Sequence, residues 1–164
     1  MTSQQSDLAQ RNRLIGEAYS GEVFGAAMFS KMAELTQDPA RADALTLLHR
    51  LEVQTQQSVR PLLDLYGVQS DEDEARSAGL RTGEDLDRQP WHQVWQDMIA
   101  IATKSLDDFR WLRTMVRADD VPIVQILIDH EIVLIDYASK EALGDPASLD
   151  RVRDHVEPAP KSDY

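Results

Sequence analysis

The sequence predicts an all-α fold: a bundle of four long helices, with one long crossover between helices two and three and a short helix near the C-terminus. Three observations carry that prediction. Apolar residues recur at steps of three and four over long windows, the signature of amphipathic helices. Start and stop signals bound those windows: Asp38 before Pro39, Gly67, Pro90, Asp120 with Pro122, and Gly144 before Pro146. The connections between them run short, long, short, and a single long connection marks a crossover bundle rather than an up-and-down one.

Residues 1–6 read as a disordered, frayed N-terminus. Asp7 with Gln10 resembles a capping box for a first helix that ends near Leu35. Its inward stripe is Ile15, Ala18, Tyr19, Glu22, Ala26, Phe29 and Met32 or Ala33, and the small residues Gly25, Ala26 and Ala27 let a neighbour approach beside Glu22. The second helix runs from Pro39 to Gly67, with Leu45, Leu48, Glu52, Thr55, Val59 and Leu62 on one face; Pro61 should kink it near Gln57. Residues 68–89 are polar and acidic and lack apolar periodicity. They read as a loop with a short helical turn at 72–78, long enough to run the bundle's length and deliver helix three parallel to helix two. The third helix opens at Pro90 and buries Trp95, Met98, Ala102, Ser105, Phe109 and Leu112. The fourth is capped by Asp120 and ends near Leu143. Its stripe is Val124, Leu127, Glu131, Leu134 and Ala138, with Ile123, His130 and Tyr137 alongside. Residues 7–145 thus form the bundle. In 146–164, Leu149, Val152 and Val156 suggest a short docking helix before a disordered tail.

The chain has 164 residues, enough for one domain with a sizeable core. A net charge of −12 leaves nothing to neutralise phosphate and argues against a nucleic-acid partner. The absence of cysteine excludes a disulfide framework and thiolate chemistry. No apolar run suits a signal peptide or a membrane span, so a cytoplasmic protein without a membrane partner is expected. No phosphate loop or nucleophile elbow is present, and the acidic run 71–74 lacks the oxygen-ligand spacing of an EF-hand. Once each helix has one inward stripe, Trp91, Trp111 and Ile132 are left over, which points to a homodimer.

A carboxylate on an apolar stripe needs a partner, a proton or a metal, because a buried unpaired charge is costly. Three acids stand in that position: Glu22, Glu52 and Glu131. Glu22 lies 13 residues before Leu35 and Glu52 lies 13 after Pro39, so both sit roughly 20 Å from their shared turn at 1.5 Å per residue. The segments LHRLEV (48–53) and LIDHEI (127–132) superpose Glu52 on Glu131. Two histidines are close in sequence. His49 precedes Glu52 by one turn, and His130 adjoins Glu131, about 100° round the helix, so only one of that pair can point straight inward. Imidazole and carboxylate together suit zinc, iron or manganese, and Glu22, Glu52, Glu131, His49 and His130 are the candidate ligands. The other reading has no metal: the acids are protonated, or hydrogen-bonded to Ser105, Thr55, Tyr19, Tyr137 or a histidine.

This arrangement resembles the ferritin-like superfamily, whose members include rubrerythrins and di-iron carboxylate oxygenases. The resemblance covers residues 7–143. Its pattern has one Glu on helix one, one on helix three, and Glu-x-x-His on helices two and four. Glu22 matches the helix-one ligand, and Glu52 and Glu131 match the Glu of each Glu-x-x-His. The expected histidine positions hold Thr55 and Leu134, and helix three offers Ile101, Ala102 and Ser105 but no acid. The resemblance therefore implies a reduced carboxylate site that binds one metal ion for redox or oxygen chemistry. The alternative is a metal-free dimeric binding or structural module with a relic site. A third reading is that the acidic residues 71–86 recruit a basic partner.

Overall fold

The structure, a computed structural model, describes residues 3–157. It is all-helical, with no strand among the described residues. The elements are α1 (Ser3–Leu35), α2 (Pro39–Val59), α3 (Pro61–Tyr66), α4 (Glu72–Asp87), α5 (Trp91–Arg113), α6 (Val121–Ala142) and α7 (Asp150–Val156), with a short 3-10 turn at Ala118–Asp120.

The four predicted stripes are the core. Their apolar members on α1, α2 with α3, α5 and α6 are all buried, from Ile15 to Met32, Leu45 to Leu62, Trp95 to Leu112 and Val124 to Ala138. Two apolar layers result, one around Leu45, Trp95 and Tyr137 and one around Leu14, Phe109 and Leu127. Asp38 caps α2 as expected, its carboxylate accepting from the Ala40 and Arg41 amides. Gly67 and Gly144 take left-handed φ of 63° and 69°, and the next amides reach back to Leu63 and Lys140 to close the helix ends. Pro61 has no N–H to offer the Gln57 carbonyl, and α2 gives way to α3 at Arg60.

Several boundaries differ from expectation. α1 already starts at Ser3, so Asp7 and Gln10 lie inside it and form no capping box. Asp120 does not cap α6. Its carboxylate is taken by the Tyr66 hydroxyl at 2.6 Å and the Arg117 guanidinium at 2.7 Å. Residues 3–6, expected to be disordered with the rest of 1–6, form the first turn of α1; residues 1–2 and 158–164, where disorder was also expected, lie outside the described residues.

The largest difference is the crossover, expected as a loop. Residues 72–87 form α4, which lies along α1 in the same chain direction: Gly16 faces Val68, Ser20 bonds Ser70, Gly79 sits on the Phe24 carbonyl and Gly83 on the Met28 carbonyl. Gly79 and Gly83 are one helical turn apart, and their missing side chains let the two backbones touch. The helix holds to its neighbour through glycine rather than through leucine, which is why it carries no apolar period. Its N-terminus is tied down by Glu72, which accepts from the Tyr19 hydroxyl at 2.8 Å and from Arg60 at 2.9 Å.

The crossover does deliver α5 parallel to α2. Arg41, near the start of α2, stacks on Trp91 at the start of α5, while Val59 and Leu112 share the opposite layer. α1 and α2 pack closely, as do α5 and α6, whereas α1 and α5 touch little. α7 docks against α2 and α6, burying Val152 and Val156.

Candidate metal centre

Glu22 on α1, Glu52 on α2 and Glu131 on α6 are all buried at mid-height, 2%, 4% and 6% exposed. Glu22 and Glu52 come together because equal rise from one turn sets them level. Gly25 makes the room: a Cβ there would lie 2.5 Å from Glu52 Oε2. The third member of the cluster is His130. Its Nε2 lies 3.5 Å from Glu52 Oε1 and 3.7 Å from Glu22 Oε2. One ligand atom from each of Glu22, Glu52 and His130 falls within 4.8 Å of the other two, a grouping able to hold a metal ion.

The second imidazole nitrogen is fixed. His130 Nδ1 lies 3.0 Å from Thr55 Oγ1, and Thr55 Oγ1 donates at 2.9 Å to the Leu51 carbonyl one turn back. A hydroxyl has one proton. With it on Leu51, Oγ1 can only accept, so Nδ1 carries the ring proton and Nε2 turns a lone pair to the two carboxyls. A metal-binding histidine is held in the same way, by a partner for the nitrogen that does not ligate.

Burial dominates the electrostatics. It pushes the Glu22 carboxyl well above the usual range, with Glu52 and Glu131 adding repulsion. Glu52 is pushed up to about 8, and Glu131 to about 9 by burial and the nearby Glu52. Burial lowers His130 to about 3. Near neutral pH and without a cation, Glu52 and Glu131 therefore keep their protons and the His130 ring stays uncharged, while Glu22 is shifted in the same direction as the other two acids. Glu22 and Glu52 are then hydrogen-bonded to each other, while Glu22 Oε2 and Glu131 Oε2 are buried without a partner.

The candidate residues divide. Glu22, Glu52 and His130 converge. Glu131 lines the same cavity but stands outside the compact trio. Both His130 and Glu131 are buried, so neither of these adjacent residues is turned to solvent. His49 points elsewhere, its Nδ1 bonded at 2.8 Å to the Ala26 carbonyl of α1. Of the residues offered as hydrogen-bond partners for the acids, Tyr19 bonds Glu72 instead, and the Tyr137 hydroxyl has no partner. Thr55, at an expected histidine position, serves His130 rather than the carboxyls.

Beside the trio lies a cavity of about 250 Å³. It occupies the space where α1 and α5 stand apart, with Thr82 and Leu86 of α4 along one side. Glu22, Glu52, His130 and Glu131 line its inner end. Among the described residues no helix is long and apolar enough to cross a membrane. Compared with known proteins, the chain matches no family model, no curated protein and no solved structure.

Proposed function

We propose that the protein is a ferritin-like helical bundle whose Glu22, Glu52 and His130 hold one divalent metal ion (iron, manganese or zinc) for redox or oxygen chemistry. The observation that supports it is the buried trio with the imidazole lone pair already turned inward by Thr55. The residues fit such an ion on two further counts. Two carboxylates and one imidazole form a donor set suited to these borderline metals. Glu22 Oε2, buried without a partner, gains one when an ion binds.

A bound ion would offer a Lewis-acidic or redox-active centre with positions left open toward the cavity. The chain's own residues do the rest. Glu22 and Glu52 would bind the ion as carboxylates, each releasing the proton it carries in the metal-free protein. Thr55 keeps the ring from rotating. Glu131, on the cavity wall, is placed to hold or pass a proton beside the ion. The surrounding apolar side chains exclude water.

A second reading has its own support. Without metal, Glu52, Glu131 and His130 are uncharged near neutral pH and Glu22 and Glu52 are hydrogen-bonded to each other, so the bundle can stand as a metal-free binding or structural module. Elemental analysis of protein purified without chelator separates the two. The first reading expects stoichiometric iron, manganese or zinc that disappears in Glu52→Ala. Metal-free wild-type protein that takes up none of these ions on titration rejects it. We also propose a homodimer, supported by Trp111, which is 48% exposed on α5. Trp91 no longer argues for it, since its indole bonds Glu141 at 2.7 Å and packs on Trp95. Sedimentation showing monomers alone at high concentration overturns that proposal.

A further inference from the structure

We propose that the cavity between α1 and α5 binds an uncharged, apolar organic molecule of about ten carbon atoms, seated with one end against Glu22, Glu52 and His130. This deepens the metal-centre reading by naming what sits beside the ion. It rests on that reading for any reaction, and not for the binding itself.

Three observations carry it. The first is size. An apolar protein cavity of about 150 Å³ takes benzene. By proportion, the 250 Å³ here takes roughly ten carbons. The second is chemistry. Phe24, Met28, Phe29, Met98, Phe109 and Leu134 supply most of the wall, and the polar groups gather at the inner end and at the mouth. The third is charge. No lysine or arginine lines the cavity, while Glu17 and Asp97 stand at its exposed rim. A carboxylate or phosphate head would meet Asp97 and Glu17 at the rim, Glu17 already holding Arg13, and would find no cation in the wall to pair with inside. A fatty acid of fitting length is therefore disfavoured, and a neutral hydrocarbon, alcohol or ring compound is preferred.

The mouth is open to substitution. Gly21 of α1 and Ile101 of α5 both line the cavity, and both are exposed. A Cβ on Gly21 meets nothing within 4 Å. Gly21→Phe and Ile101→Trp therefore add bulk at the entrance with little consequence for folding.

The probes are 1-decanol and decanoate at micromolar concentration, titrated calorimetrically into the full chain, both zinc-loaded and after chelation, with zinc content measured separately. 1-Decanol is expected to bind both forms and to raise the melting temperature with concentration. Decanoate is expected to bind at least tenfold more weakly, and Gly21→Phe and Ile101→Trp to weaken 1-decanol at least tenfold. Absence of 1-decanol binding overturns the proposal, as does decanoate binding equal or tighter, or affinity unchanged in both variants. Zinc uptake without decanol binding defeats this inference alone. Decanol binding without metal uptake defeats the metal centre and leaves the cavity assignment standing.

Discussion

His130 is the residue on which the candidate site turns, and Thr55 is what would make it a ligand in the proposed metal centre rather than a buried imidazole. The hydroxyl proton is committed to Leu51, so Thr55 fixes both the ring's orientation and its tautomer. Thr55→Val keeps the shape and removes that partner. Zinc affinity is expected to fall about 10- to 100-fold, measured by competition with a chromophoric chelator, while the fold is retained. Glu52→Gln separates stability from function. It removes a buried acid without changing volume, so urea denaturation of the metal-free protein should show stability equal to or above wild type, with metal uptake lost. The trio was only partly legible from the chain. Helical rise brought Glu22 and Glu52 to one level. It could not decide between His130 and Glu131, because their 100° separation allows either to turn inward until the positions of the facing helices are known. Nor could spacing show that His49 would spend its nitrogen on a backbone carbonyl of α1.

At the scale of elements, α4 is the part that pattern-reading missed. Amphipathic periodicity detects helices that bury side chains, whereas α4 buries two glycines and brings its backbone onto that of α1. The signal available was Gly79 and Gly83 spaced by four, with Ala75 on the same face, which the polar composition obscured. The glycines set a sharp expectation. Gly83→Ala gains about 0.5–1 kcal/mol of helix propensity, but its Cβ would sit 2.7 Å from the Met28 carbonyl oxygen, a backbone atom that cannot yield cheaply. Overpacking of that kind costs about 1–3 kcal/mol, so the net change should be destabilising. Gly21→Ala, on the same α1 but facing open space, should instead stabilise by about 0.5–1 kcal/mol. Paired urea melts of the two variants test the sign directly. The other four long helices were legible because each carries a continuous buried stripe between a cap or proline and a glycine or short turn.

For the molecule as a whole, buried neutral acids tie stability to pH. An unfolded glutamate titrates near pH 4.3, whereas folded Glu52 and Glu131 titrate at about 8 and about 9. Between those values the folded metal-free protein binds more protons at these groups than the unfolded chain does, so stability falls as pH rises. His130 works in the opposite sense, but only below about pH 6.5, where the unfolded imidazole gains a proton that the folded one, at about 3, refuses. From pH 6.5 to 9 the glutamates set the sign. The melting temperature of chelated protein should decline across that range. Zinc requires the ionised carboxylates, so zinc affinity should rise over the same range with release of protons. A melting temperature for chelated protein that is flat or rises between pH 6.5 and 9 contradicts the burial of these acids.

Gly25 gives this architecture a simple way to change its trade. One methyl group at that position would stand where an oxygen of Glu52 now sits, on a helix whose other contacts need not move. A single base change could therefore push Glu52 away from Glu22 and His130 while leaving the bundle intact. Descendants of such a protein would keep its shape and lose the convergence of the three side chains.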